Sequence, residues 1–220
     1  MKKQREILEK KIKQEIHILI GAIDKNPRDW RNYNDLAILL TKMGNYPEAE
    51  ELLMKSFGQV EKNDNNGHEN LQYTLGTVYY SAGEYQKAWG IFNQLTDADL
   101  KGEALIMLAQ TMQQMGDFQH GLVYAITALE INPNDVALNN LIADMLLALG
   151  DFKQAQTYYQ KVLNLDAKNS IALFGSGLVA LVLGQDSQDY FKTLKQSDIE
   201  YFTKNKQRVD DLIKMINQKS

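Results

Sequence analysis

The sequence predicts an all-α solenoid of about five helical hairpins, closed by a helix at each end. Three observations predict it. Glycine followed two residues later by an aromatic recurs as GNY at Gly44, GEY at Gly83, GDF at Gly116 and GDF at Gly150, and Gly184 continues the series without its aromatic. The intervals are 39, 33, 34 and 34 residues, a period that marks stacked helical pairs. Between these corners, apolar residues fall three and four apart, as in amphipathic helices. Small residues also keep a fixed offset: Ala37, Gly76, Ala109, Ala143 and Gly177 each lie seven residues before a glycine.

Each element follows in order. Residues 1–26 are an N-terminal capping helix with Leu8, Ile12, Ile16, Leu19 and Ile23 on one stripe. Its start, MKKQREILEKKIK, is basic and amphipathic. Glutamates alternate with the lysines, however, so it reads as a solvated face rather than a membrane or RNA contact. Repeat 1 spans 27–67, and its excess length falls in EKNDNNGHEN (Glu61–Asn70), read as a polar loop. Repeats 2, 3 and 4 span 68–100, 101–134 and 135–168. In each hairpin the residue before the first small position is Leu36, Leu75, Leu108 or Ile142, and a second small residue (Ala49, Ala88, Gly121, Ala155) follows the glycine by five. Small pairs let two helices approach closely, and larger residues such as Leu53, Phe92 and Tyr159 fill the space beside them. Pro47 falls in a first helical turn and Pro133 between hairpins, where proline is tolerated. Repeat 5 (169–196) is degraded, with Asp186 at the aromatic site and Asp189 at the small one. Residues 197–220 form a C-terminal capping helix, with Ser197 as its cap and Ile199, Phe202, Leu212, Ile213 and Ile216 as its apolar stripe.

Positions recurring in register from about Pro27 to Leu194 resemble the tetratricopeptide repeat, as found in small stand-alone bacterial proteins of that family. The resemblance implies a right-handed superhelix and a non-catalytic protein-interaction role. It also implies that the first helix of each hairpin lines a concave groove. Carried over position by position, the groove would present Arg31, Asn34 and Ile38, then Tyr73, Thr77 and Tyr80, then Met107, Gln110 and Gln113, then Asn140 and Asp144. The family's clamp for a chaperone tail needs paired cations. Its positions here hold Asn34, Ile38, Thr74, Glu103 and Met107, with no lysine or arginine. The mixed wall of tyrosines, amides and hydroxyls suits an extended peptide or a helix of a protein partner. Tyr79 instead falls on the packing pattern. The groove positions of repeat 5 (Ile171, Phe174, Gly175, Leu178, Leu181, Val182) are almost wholly apolar and require a cover. The C-terminal helix is the expected cover, and a homodimer through this face is the alternative.

Composition excludes several other roles. The 220 residues include no cysteine, so disulfides, thiol catalysis and thiolate metal sites are ruled out. A net charge of −4 and few groove cations give no track for nucleic acid. No run reaches the ~18 apolar residues of a membrane span. With no signal-peptide pattern at the start, a cytoplasmic location is expected. Asp64, Asn66 and Gly67 have calcium-loop spacing, but Lys62 and Tyr73 stand where acidic ligands belong. GSGLVA (Gly175–Ala180) matches a dinucleotide fingerprint, yet Gly177 is in register with Ala143 as a packing residue. His17, His68 and His120 lie in different elements, without a second ligand at helical spacing. No cofactor, metal or catalytic residue is expected. The alternative function is a regulatory sensor or nucleic-acid-associated repeat protein.

Overall fold

The structure, a computed structural model, describes residues 2–61 and 64–219, with the backbone alone for residues 2–9 and Lys219. Among the described residues every strand-like alternative is absent, and the regular elements are α-helices. In chain order they are α1 (Lys2–Lys25), α2 (Trp30–Lys42), α3 (Tyr46–Ser56), α4 (Asn65–Ser81), α5 (Tyr85–Phe92) and α6 (Lys101–Met115). These are followed by α7 (Phe118–Ile131), α8 (Val136–Ala148), α9 (Phe152–Leu165), α10 (Ser170–Val182), α11 (Gln188–Ser197) and α12 (Ile199–Lys219).

The repeating glycines are the corners. Gly44, Gly83, Gly116, Gly150 and Gly184 adopt φ of 79°, 80°, 77°, 81° and 68°, and no other described residue has a positive φ. Only glycine enters that region without strain, so the chain turns there and the helix before it stops. The aspartates beside two of these corners then start the next helix. Asp117 and Asp151 accept from His120 N and Gln154 N at 3.3 and 3.1 Å, which satisfies one free amide at each N-terminus.

The helices group into two compact units, Met1–Met115 and Gly116–Ser220. In the first unit α1 packs on α2, α2 pairs with α3, and α4 pairs with α5. α2 and α4 lie side by side, and α6 follows against α4 and α5. Ile12, Ile16, Leu19 and Ile23 of α1 are half-buried, whereas Ile18 and Ile20 are exposed; the Leu8 side chain lies outside the described residues. Ala37, Ala49 and Ala88 are fully buried. At Gly76 an added Cβ would come within 2.7 Å of the Phe92 ring. Full burial of Leu53 and Phe92 contributes about 1.5–3 kcal/mol each.

One expectation is corrected here. Residues 65–70, read from sequence as part of a loop, are the first turns of α4. Asp64 caps that helix by accepting from Gly67 N at 2.8 Å. Gly67 itself is buried, with room for no Cβ because the Trp30 ring would stand 2.6 Å away. The asparagine-rich run is therefore held helical by its cap and by packing on α2. Asp64 serves as the cap, and Lys62 lies outside the described residues.

In the second unit α7 packs on α8, α8 pairs with α9, α9 packs on α10, and α10 pairs with α11. α12 lies on both α10 and α11. Ala143 and Ala155 are fully buried, and Gly177 leaves only 2.5 Å between a notional Cβ and the Phe191 ring. The core here gathers Leu173, Phe174, Leu178, Phe191, Leu194, Phe202 and Val209. The chain's own α12 thus packs against the apolar helix of repeat 5.

The C-terminal helix differs in two details from its sequence reading. Asp198, not Ser197, is the cap: its carboxylate accepts from Tyr201 N at 2.9 Å, while Ser197 Oγ donates back to Thr193 O at 3.0 Å. The inward stripe has Phe202 and Val209 buried and Leu212 and Ile216 half-buried, with Ile199 and Ile213 exposed. Val209 joins the core with Phe202, two helical turns before it on the same side of α12. Asp198 also aligns with the caps Asp135 and Asn169, and eight residues beyond these three stand Lys206, Ala143 and Gly177 respectively. Lys206 is exposed at the place where a closing helix would need a small residue.

Candidate partner-binding face

In the first unit, α2, α4 and α6 supply the predicted groove residues. Spacings of three and four put Arg31, Asn34 and Ile38 on one side of α2, and Tyr73, Thr77 and Tyr80 on one side of α4. The same holds for Met107, Gln110 and Gln113 on α6. Arg31 is exposed, 3.2 Å from Asp29 Oδ1, with its guanidinium over the Trp30 ring. Asn34 is half-buried and accepts from the Thr74 hydroxyl, which ties α2 to α4. Ile38 is exposed.

The α4 tyrosines are only partly committed to packing. Tyr73 is half-buried with its ring centroid 5.6 Å from that of Phe92. Burial, helped by the Glu103 carboxylate across on α6, pushes its hydroxyl up to about 12, so it is a neutral donor and acceptor. Thr77 donates to Tyr73 O at 3.1 Å and leaves its oxygen as an acceptor. Tyr80 meets Tyr85 edge to face at 5.6 Å, and the Tyr85 hydroxyl donates to Gln114 Oε1 at 3.5 Å. Tyr79 differs from both. It is 9% exposed and donates to Glu50 at 2.7 Å, so it joins α4 to α3 as a packing residue.

On α6, Met107, Gln110 and Gln113 are half-buried. Among the described residues, neither the Gln110 nor the Gln113 side chain has a hydrogen-bond partner within the protein. Each amide carries two donors and a carbonyl acceptor, enough to pair with a backbone peptide group. This face is therefore polar and aromatic, and its charges, Arg31 and Glu103 among them, are of both signs.

The second unit uses its corresponding positions internally. Asn140 is 4% exposed and donates to Asn169 Oδ1 at 3.0 Å. Asp144 is half-buried and accepts from the Tyr159 hydroxyl at 2.5 Å. Burial raises its carboxyl above the usual aspartate range, against the pull of Tyr159's hydrogen bond and of Arg208's charge. Tyr159 is fully buried, and burial together with Asp144 holds its hydroxyl protonated. Arg208 and Tyr201, both from α12, complete this group. No sequence signal marked them, because only the crossing of α12 over α10 brings them there.

Among the described residues no three His, Cys, Asp or Glu side chains gather as a metal site, and no helix is long and apolar enough to cross a membrane. Gly175–Ala180 lies inside α10, where its glycines make room for Tyr159 and Phe191 rather than for a phosphate.

Tetratricopeptide-repeat family models match residues 31–101 and 136–169. Among solved structures, PilF of Pseudomonas aeruginosa is similar with a TM-score of 0.73 and 17% identity over 92% of each chain. A tetratricopeptide-repeat protein of Parabacteroides merdae gives 0.68 at 16% identity, covering 89% of this chain and 77% of its own. YrrB, described as a repeat protein with an unusual peptide-binding site, gives 0.62 at 18% identity, covering 83% of this chain and 93% of its own.

Proposed function

Because this chain belongs to the tetratricopeptide-repeat family, we propose that it is a non-catalytic adaptor that binds a segment of a partner protein. The binding face is that of α2, α4 and α6. The observation that carries this reading is the pair of unpartnered amides, Gln110 and Gln113, beside half-buried Tyr73, Thr77 and Tyr80. Amides of this kind hold a peptide backbone, and tyrosines add contact area at little entropic cost. YrrB, with its peptide-binding site, is a precedent on a similar fold. The lack of a cationic clamp favours an internal segment or a helix over a terminal carboxylate.

The test is capture of crosslinked partners by the wild type, by Tyr80→Ala/Gln110→Ala and by the outward-facing control Gln160→Ala, all verified as folded by circular dichroism. Partners retained by wild type and control but lost by the double variant support the reading. Identical capture by all three overturns it.

A further inference from the structure

Asn66–Gly67 is the one asparagine–glycine pair in the chain, and it lies in the first turn of α4. In such a pair the glycine nitrogen can attack the asparagine side-chain carbonyl carbon, because no Cβ on the following residue stands in the way. Ring closure expels the side-chain nitrogen as ammonia and leaves a succinimide. The proton lost by the glycine nitrogen leaves with that ammonia. Water then opens the ring at either carbonyl, giving aspartate or isoaspartate. Solvent is the only co-reactant, and Asn66 is exposed to it.

Packing fixes the glycine. A Cβ at position 67 would stand 2.6 Å from the Trp30 ring and 2.7 Å from Asp64 Oδ2, so no residue with a side chain fits there. The same local structure holds the reaction back. Gly67 N donates to Asp64 Oδ1 at 2.8 Å, which keeps the nucleophile protonated and turned towards a carboxylate rather than towards Asn66. Two further bonds hold the turn: His68 N donates to Asp64 O at 3.0 Å, and Asn70 Nδ2 donates to Asn66 O at 2.9 Å. The His68 ring also stacks on Phe57, with centroids 6.1 Å apart and planes 6° from parallel.

We propose that Asn66 is a site of spontaneous deamidation which the Asp64 cap keeps closed, so that its conversion records opening of the first turn of α4. Isoaspartate adds a carbon to the main chain. A turn that has reacted therefore cannot rebuild the Asp64 cap or return Gly67 to its place against Trp30. Opening leaves a lasting mark at the contact between α2 and α4. None of the residues assigned above to partner binding takes part, so the two readings fail separately.

The experiment follows Asn66 by peptide mapping and mass spectrometry in the full-length protein, held in mildly alkaline buffer. A free peptide of residues 61–72 and the Asp64→Ala protein are run beside it. In the free peptide Asn66 is expected to convert to aspartate and isoaspartate, while Asn65, followed by another asparagine, stays largely amide. In wild type the conversion should be about tenfold or more slower, because only the open fraction reacts. In folded Asp64→Ala it should be about fivefold faster than in wild type, since loss of the cap raises the open population. Equal rates in the free peptide and in wild type overturn the proposal. So do equal rates in wild type and Asp64→Ala, or a free peptide that does not react. If Asp64→Ala does not fold, wild type in sub-denaturing urea decides. Conversion at Asn66 should then rise in proportion to hydrogen exchange at the Gly67 amide, and conversion indifferent to that exchange overturns the proposal.

Discussion

Tyr159 on α9 donates its hydroxyl to Asp144 on α8 at 2.5 Å, inside a unit where Tyr159 has no exposed surface at all. This one bond satisfies a carboxylate that burial would otherwise leave alone. Tyr159→Phe is expected to cost about 1–3 kcal/mol in urea unfolding, the penalty of orphaning a buried acceptor.

The same pair sets a pH dependence. Because the native pKa of Asp144 is raised by burial, the folded state holds its proton more tightly than the unfolded chain. Its contribution to stability is full below the ordinary aspartate value of about 3.9 and is lost as pH rises through the raised native value. Asp144→Asn should flatten that part of the stability–pH curve, and Tyr159→Phe should move its end to higher pH. A curve unchanged by Asp144→Asn refutes the assignment.

Two glycines of one unit should resist substitution for different reasons and to different degrees. At Gly150, φ is 81° and an added Cβ meets nothing within 4 Å, so Gly150→Ala carries only backbone strain, about 1–2 kcal/mol. Gly175 has ordinary helical geometry, but a Cβ there would stand 2.2 Å from the Tyr159 ring. Gly175→Ala is expected to cost more than Gly150→Ala, and adding Tyr159→Phe should not relieve it because the ring remains. Thermal unfolding of the three variants checks the order.

The small-residue positions give a sharper test of helix contact. Ala143 is fully buried between α8 and α9, so Ala143→Leu should cost roughly 1–3 kcal/mol by overpacking. Ala148, exposed on the same helix, should accept leucine within about 0.5 kcal/mol.

Glu69 on α4 holds the segment between α5 and α6. Its Oε2 accepts from Thr96 N at 2.8 Å and Asp97 N at 2.6 Å, and Oε1 accepts from the Thr96 hydroxyl at 2.7 Å. Burial raises its pKa, but these hydrogen bonds to the ionised form prevail, so the native value is lowered. Its stabilisation is present above the ordinary glutamate value of about 4.3 and is lost as pH falls through the lowered one. Glu69→Ala should speed hydrogen exchange at Thr96 and Asp97, since no side-chain oxygen is then left to accept from the two backbone groups. Unchanged exchange there removes Glu69 from this role.

The architecture was legible because its determinants are local and repeated. A glycine that must take positive φ, and an alanine or glycine that must admit a neighbouring ring, are visible as residue types at fixed spacing. The cover over repeat 5 was legible for a related reason: Phe174 and Leu178 on an otherwise apolar helix demand one. What stayed hidden depends on context. The run Asn65–Gly67 looks like a turn by composition, yet the Asp64 cap and the Trp30 ring make it helical. Asn140 reads as a free amide until Asn169 of the following hairpin is seen to take it. The Arg208–Asp144 relation joins residues 64 positions apart through the angle at which one helix crosses another, and periodicity carries no information about that angle.

Lys206 gives the fold a rule of growth. Where every earlier hairpin offers a residue without bulk, α12 offers a charged, four-carbon chain, so a helix packing there would meet that chain in place of a small residue. A hairpin duplicated upstream of Asp198 would keep the small-residue contact that the preceding pairs share.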